Sequence, residues 1–151
     1  MKKLLSEKFV RRAMRDWLFR NSWGRNYKEK ETHEKGVDIQ VKNNKWPGFF
    51  FIETKGESKN RAGGEVAFVY GLGQIVTRMK IVDRYAYNYG LALPESIAKI
   101  AIRRTPWRLT RELCLHIFSV NRNGKVKKYS WQDLKKIQKK SQKFKTKLRT
   151  N

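Results

Sequence analysis

Val37-Asp38-Ile39-Gln40-Val41-Lys42, then Asn43-Asn44-Lys45-Trp46-Pro47-Gly48, then Phe49-Phe50-Phe51-Ile52-Glu53-Thr54-Lys55 is the stretch whose reading decides the fold. Val37, Ile39 and Val41 alternate with Asp38, Gln40 and Lys42, the two-residue period of a half-buried strand. The middle segment carries turn chemistry around Pro47-Gly48. Residues 49–55 are apolar enough for a central strand, so the two runs predict a hairpin. In strand phase Phe49, Phe51, Glu53 and Lys55 point to one side, and Phe50, Ile52 and Thr54 to the other. A carboxylate and an ammonium therefore share one face of an interior strand. They need partners, because an unpaired buried charge is very costly.

Outward from the hairpin, residues 4–20 read as an amphipathic helix, with Leu4, Val10, Met14, Trp17 and Leu18 at three- and four-residue spacing. Residues 22–35 read as a polar connection with a short strand around Tyr27. After the hairpin, 56–64 is a polar loop and 65–80 returns to helical spacing. Gly71 and Gly73 weaken that helix by about 1 kcal/mol each relative to Ala, which suits a close approach to a sheet or a ligand. Residues 85–93 form a further strand stopped by Pro94, 95–104 a short helix ended by Thr105-Pro106. Asn121-Arg122-Asn123-Gly124 joins strands at 113–120 and 126–129 as a second hairpin. Ser130, with Asp133 three residues on, starts a last helix with Trp131, Leu134, Ile137, Phe144 and Leu148 along one stripe. The predicted order is helix, two strands, helix, strand, helix, hairpin, helix, a mixed α/β domain.

The chain has 151 residues, 36 Lys+Arg against 13 Asp+Glu and a net charge of +23, with 39% hydrophobic and 13% aromatic residues. That length fits one domain, and the aromatic content excludes a disordered polycation. The charge calls for a polyanion: DNA, RNA or an anionic membrane surface. Small acidic metabolites would not need so much of it. The longest wholly apolar run, Phe49-Phe50-Phe51-Ile52, is far below the ~18–20 residues that cross a bilayer, and the first residues show no secretory pattern. Cys114 as sole cysteine excludes an intramolecular disulfide, and with only His33 and His116 beside it there is no zinc finger. A reducing cytoplasm is the expected compartment. His33 reads as a loop residue within reach of a phosphate, His116 as a satisfied core histidine and Cys114 as a packing residue.

With so few acids, the placement of each is informative. The hairpin folds Asp38 back toward Glu53. Two carboxylates on paired strands, one of them next to a lysine in phase, can hold a divalent cation. Mg²⁺ favours one or two carboxylates, with water and phosphate oxygens completing its shell.

Gly36-Val37-Asp38-Ile39, with Phe51-Ile52-Glu53-Thr54-Lys55 bringing the second carboxylate fifteen positions later, resembles the core motif of the PD-(D/E)XK nuclease superfamily. Val37 stands where the motif's name has proline. The resemblance in element order runs from about residue 4 to 130. It implies a restriction-endonuclease-like fold: one domain with a central mixed β-sheet flanked by helices, a nuclease core over 1–130, and a basic helix or arm over 131–151 attached to it. It also implies that Asp38, Glu53 and the Thr54 carbonyl hold Mg²⁺, for which Mn²⁺ can substitute, and that Lys55 positions or activates the attacking water. Glu7, on the first helix and in phase with Val10, Met14 and Trp17, and Gln74, on the helix after the second strand, would face the same site. For Gln74 a structural hydrogen bond between helix and strand is the other reading, and for Glu7 a solvated helix position.

The function expected on this basis is metal-dependent hydrolysis of phosphodiester bonds, by a DNA endonuclease of restriction, junction-resolving, repair or mobile-element type. The alternative is a non-catalytic basic DNA- or RNA-binding protein, in which Glu53 and Lys55 are an ordinary strand-end pair. Two equivalent strands suit a two-fold homodimer as a geometric expectation. From Lys135 onward eight Lys/Arg occur with no acid. That segment reads as a solvated helix face, as an arm along nucleic acid, or as a stripe packed on the core or a second subunit. Trp46, at a turn tip, is placed to stack on a base.

Overall fold

The computed structural model describes residues 2–31, 33–81 and 86–150. Tyr85, the expected start of the strand after the second helix, lies outside the described residues, as do the terminal Met1 and Asn151.

The elements are α1 (Glu7–Arg20), β1 (Trp23–Glu29), β2 (Ile39–Asn43), β3 (Phe49–Thr54), α2 (Arg61–Thr77), β4 (Tyr87–Pro94), α3 (Glu95–Arg104), α4 (Trp107–Glu112), β5 (Leu115–Val120), β6 (Val126–Tyr129) and α5 (Trp131–Arg149). The strands form one mixed sheet in the order β1-β2-β3-β4-β5-β6. β1, β2 and β3 are a meander of antiparallel neighbours, β3, β4 and β5 run parallel, and β6 turns back on β5. Helical crossovers on the way from β3 to β4 and from β4 to β5 are what parallel neighbours require. The architecture is therefore an α/β sheet flanked by helices. No helix among the described residues is long and apolar enough to cross a membrane.

β3 shows why the sheet is a middle layer. Phe50 and Ile52 pack with Val10, Met14 and Leu18 of α1, together with Ile39 and Phe118. Phe51, one residue out of phase, packs with Ile75 of α2 and with Tyr89 and Leu115. The odd-numbered side chains of the neighbouring strands, Leu91, Leu93 and Ile117, meet α2, α3 and the start of α5 through Phe68, Ile97, Ala101 and Leu134. Each such fully buried side chain contributes about 1.5–3 kcal/mol by leaving water.

The expected first hairpin forms, with Val41 opposite Phe50 and Ile39 opposite Ile52. Two elements go beyond the sequence reading. β1 is a seven-residue strand where the sequence predicts a polar connection with only a short strand around Tyr27. Its pairing with β2 shifts register twice, and Asn26 takes a positive φ of 53°. Those bulges destroy the two-residue alternation from which a strand is recognised. α4 is only six residues long, and its Trp107 N–H is capped at 3.1 Å by Gln138 Oε1 of α5, a tertiary contact with no local signature. Boundaries also move. α1 begins at Glu7 because the Ser6 hydroxyl accepts the Phe9 N–H, and α2 begins at Arg61 because the Asn60 side chain accepts the Gly63 N–H. The expected α5 start stands: the Ser130 N–H donates to Asp133 at 2.8 Å, and this holds the Asp133 carboxyl below its usual range.

Gly90 sits where the two packed faces leave no space. A Cβ there would lie 2.8 Å from Phe118 and 3.1 Å from both Ile52 and Phe50. Gly90→Ala is expected to destabilise the fold by about 1–3 kcal/mol, as overpacking does. In thermal denaturation that is a fall of roughly 2–4 °C in Tm per kcal/mol.

His116 on β5 packs against Phe50, ring centroids 5.5 Å apart, with Nδ1 3.4 Å from the Tyr89 carbonyl oxygen. Burial, then the nearby Lys128 charge, push its pKa down to about 4 from 6.5. The folded protein thus holds fewer protons here than the unfolded chain between about pH 4 and 6.5, so stability rises with pH across that window. His116→Phe should flatten that rise in urea denaturation measured across the same range.

Candidate functional site

The C-terminal ends of the three parallel strands lie along one edge of the sheet, with Thr54 beside Ala92 and Pro94 beside Val120. Open α/β sheets bind ligands at this edge, where loops replace hydrogen-bonded backbone. Asp38, Glu53, Thr54 and Lys55 all fall there. The N-terminus of α1 is anchored beside them. Glu57 donates its N–H to the Leu5 carbonyl at 2.8 Å, and its carboxylate accepts the Leu5 N–H at 3.0 Å. At Gly56 the chain passes so close that a Cβ would lie 2.8 Å from the Glu7 nitrogen.

Asp38 directly precedes β2, one step beyond the Ile39–Ile52 pair, and so stands beside Glu53. It is 2% exposed, and Glu53 is 1% exposed. Thr54 donates both its N–H and its hydroxyl to Asp38 Oδ2, each at 2.8 Å. Asp38 Oδ1 faces Lys30 Nζ at 3.4 Å and Arg11 Nη2 at 3.5 Å. On the opposite face of β3, Glu53 Oε2 accepts from Arg78 Nη1 at 2.8 Å and Oε1 lies 3.8 Å from Lys55 Nζ. The Lys55 ammonium also sits 5.2 Å from the centre of the Tyr70 ring, and Tyr70 is itself exposed.

Glu53 and Lys55 thus meet, and Asp38 stands close enough to act on Glu53. Burial, then repulsion from Asp38, push the Glu53 carboxyl above its ordinary 4.5, while Arg78 and Lys55 hold it down. Thr54 is fully buried and orients Asp38 through its N–H and hydroxyl. Glu7 reaches the site only indirectly. Its side chain is 43% exposed and is held at 3.1 Å by Arg11, through the same nitrogen that approaches Asp38. Gln74 lies on α2 between two contacts to the site. One is Gly71, where a Cβ would come 3.2 Å from Lys55 Cγ, and the other is Arg78 on Glu53. Gln74 Oε1 is buried and makes no hydrogen bond. Gly71 is thus a point of close approach, as its place in a helix suggested, whereas Gly73 faces open space.

Three residues of the site escape the sequence reading. Arg11 lies four residues after Glu7 and Arg78 four after Gln74, so helical phase alone points to both. Lys30 follows β1, and no signal in the sequence points to it. Trp46 stays half-exposed at the hairpin tip but packs edge-on against Trp23, ring centroids 5.2 Å apart.

Among the described residues no three His, Cys, Asp or Glu side chains come together as a metal-holding group. The donor set present is two adjacent buried carboxylates, one disfavoured as an anion by the other. A divalent cation relieves that repulsion, and Mg²⁺ needs no more than one or two carboxylates. The unmatched Gln74 oxygen is a buried acceptor without a donor, a state that costs about 1–3 kcal/mol until a ligand or water supplies one. Two carboxylates are the number a Mg²⁺ site can use, and here their oxygens already face Thr54, Lys30, Arg11, Arg78 and Lys55.

Comparison of the chain with models of known protein families, with curated proteins and with solved structures gives no match in any of the three. The class defined by the structure is that of an α/β protein with a mixed six-stranded sheet and two buried acids at the C-terminal edge of its parallel strands.

Because the folded Glu53 carboxyl holds its proton more tightly than the unfolded one, its contribution to stability declines as pH rises above 4.5. Glu53→Gln, neutral throughout, lacks this decline. Its stability relative to wild type, measured by urea denaturation, should therefore improve as pH is raised through the Glu53 titration. A difference independent of pH rejects the assignment.

Proposed function

We propose that this chain is a divalent-metal-dependent nuclease of the PD-(D/E)XK type, with a restriction-endonuclease-like fold, hydrolysing phosphodiester bonds in DNA. The observation that carries the reading is the pair of almost fully buried carboxylates, Asp38 and Glu53, at the end of one hairpin with Lys55 beside Glu53. The surroundings support it. The hairpin precedes a helix whose Gly71 lets the backbone close over Lys55, and a strand parallel to β3 follows.

Asp38 and Glu53, with the Thr54 carbonyl, are the residues that would hold Mg²⁺ or Mn²⁺. When bound, the cation supplies charge stabilisation at the scissile phosphate and lowers the pKa of a water. Lys55 orients that water and offsets negative charge as it develops. Thr54 fixes the Asp38 carboxylate in place, and Arg11 links it to Glu7 on α1. Arg78 holds Glu53 and must share it with the metal.

One observation favours a second reading, that of a non-catalytic nucleic-acid-binding protein. All four oxygens of Asp38 and Glu53 already face a cation or a hydrogen-bond donor, as in a structural ion network. The two readings separate by assay. With Mg²⁺ or Mn²⁺ the purified protein should cut plasmid or branched DNA. Glu53→Ala and Lys55→Ala should each slow cleavage by at least about 100-fold while still binding, the scale seen when one transition-state contact is removed. Equal cutting by wild type and Lys55→Ala overturns the catalytic assignment. No cleavage of any DNA or RNA form with either metal favours the binding protein.

A further inference from the structure

We propose that the cleft between the β3–α2 loop and α3 binds the phosphodiester backbone of the nucleic-acid strand that enters the site, an inference that rests on the nuclease reading above. The cleft has a volume of about 420 Å³ and is lined by Ser58, Lys59, Arg61, Ser96, Lys99 and Arg103. Lys99 and Arg103 stand one helical turn apart on α3, and Lys59 and Arg61 come from the loop and the first turn of α2. Four cations that line one cleft repel each other, and a string of phosphates relieves that repulsion.

Their charge is largely unspent within the chain. Lys59 and Arg103 make no ion pair among the described residues, and both are exposed. Arg61 pairs with Glu65 and Lys99 with Glu95, each at 3.7 Å in an exposed contact one turn along its own helix. Such pairs exchange readily with a stronger anion. Glu57 is the one acid lining the cleft, and it does not oppose a phosphate. Its carboxylate accepts from Arg122 at 3.0 Å and from the Leu5 N–H at 3.0 Å, which neutralises it.

Position connects the cleft to the chemistry. It opens at the same edge of the sheet as Asp38 and Glu53, and Ser58 follows Lys55 by three residues. Three residues of extended chain span at most about 11 Å. That is roughly three nucleotide steps at about 3.4 Å each along one strand. Ser58, on the wall of the cleft, thus lies within a few nucleotide steps of Lys55.

The test reads binding without cleavage. A fluorescein-labelled DNA duplex is titrated with the full chain in EDTA, by anisotropy, at several salt concentrations. The double variant Lys59→Gln/Arg103→Gln is compared with Lys140→Gln/Lys143→Gln, which removes the same charge from exposed positions of α5. The cleft variant should bind at least tenfold more weakly, and its slope of log K against log salt should fall by about 1.8, near 0.9 for each phosphate no longer neutralised. The α5 variant should change both by much less. Unchanged binding by the cleft variant, equal weakening in the two variants, or no binding by wild type each overturns the proposal. A chain that binds through the cleft in EDTA yet never cuts when Mg²⁺ or Mn²⁺ is supplied would refute the nuclease reading alone. Normal affinity of the cleft variant in a chain that does cut would refute the cleft alone.

Discussion

Two carboxylates buried side by side at the end of the β2–β3 hairpin are the constraint on which the rest of this structure depends. In a low-dielectric interior neither can remain ionised without compensation, and each raises the other's cost. The chain meets the demand from both faces of the sheet. Thr54, Lys30 and Arg11 attend Asp38, while Arg78 and Lys55 attend Glu53. Those groups come from α1, the chain after β1, the end of β3 and the cap of α2. Burying both acids calls on all four elements, so folding and construction of the site go together.

This changes the meaning of a net charge of +23. Part of the excess is turned inward and serves two anions. The cleft beside α3 holds another part outward, with few internal partners. An inward ion network and an outward cationic cleft thus divide part of the basic excess between them. Burial and Asp38 raise the Glu53 carboxyl, while Arg78 and Lys55 hold it down.

Much of the fold is legible in the sequence because local chemistry and global packing agree. The Val37–Val41 alternation, the Phe49–Phe51 run, the Asn121–Gly124 turn and the Ser130/Asp133 start each carry a signal that tertiary structure does not override. Asp38, Glu53 and Lys55 stand out for the same reason, as charges in segments otherwise fit for an interior. β1 shows in the sequence only as a short strand around Tyr27 because its bulges erase alternation, and α4 is hidden because its cap comes from Gln138, more than thirty residues away. Arg11 and Arg78 are legible in principle by helical phase. Nothing in the residues near Lys30 reveals its partner.

The sequence by itself determined the α/β class, the hairpin, the phase that places Glu53 and Lys55 on one face, and the cationic character of the surface. All of these follow from short-range periodicity and composition. Only the tertiary structure decided which cations neutralise which acid, that Arg11 also reaches Asp38, and that Lys59, Arg61, Lys99 and Arg103 line one cleft. The physical reason is that an ion pair is set by distance in space, and 36 basic residues give each acid many candidates that sequence spacing cannot rank.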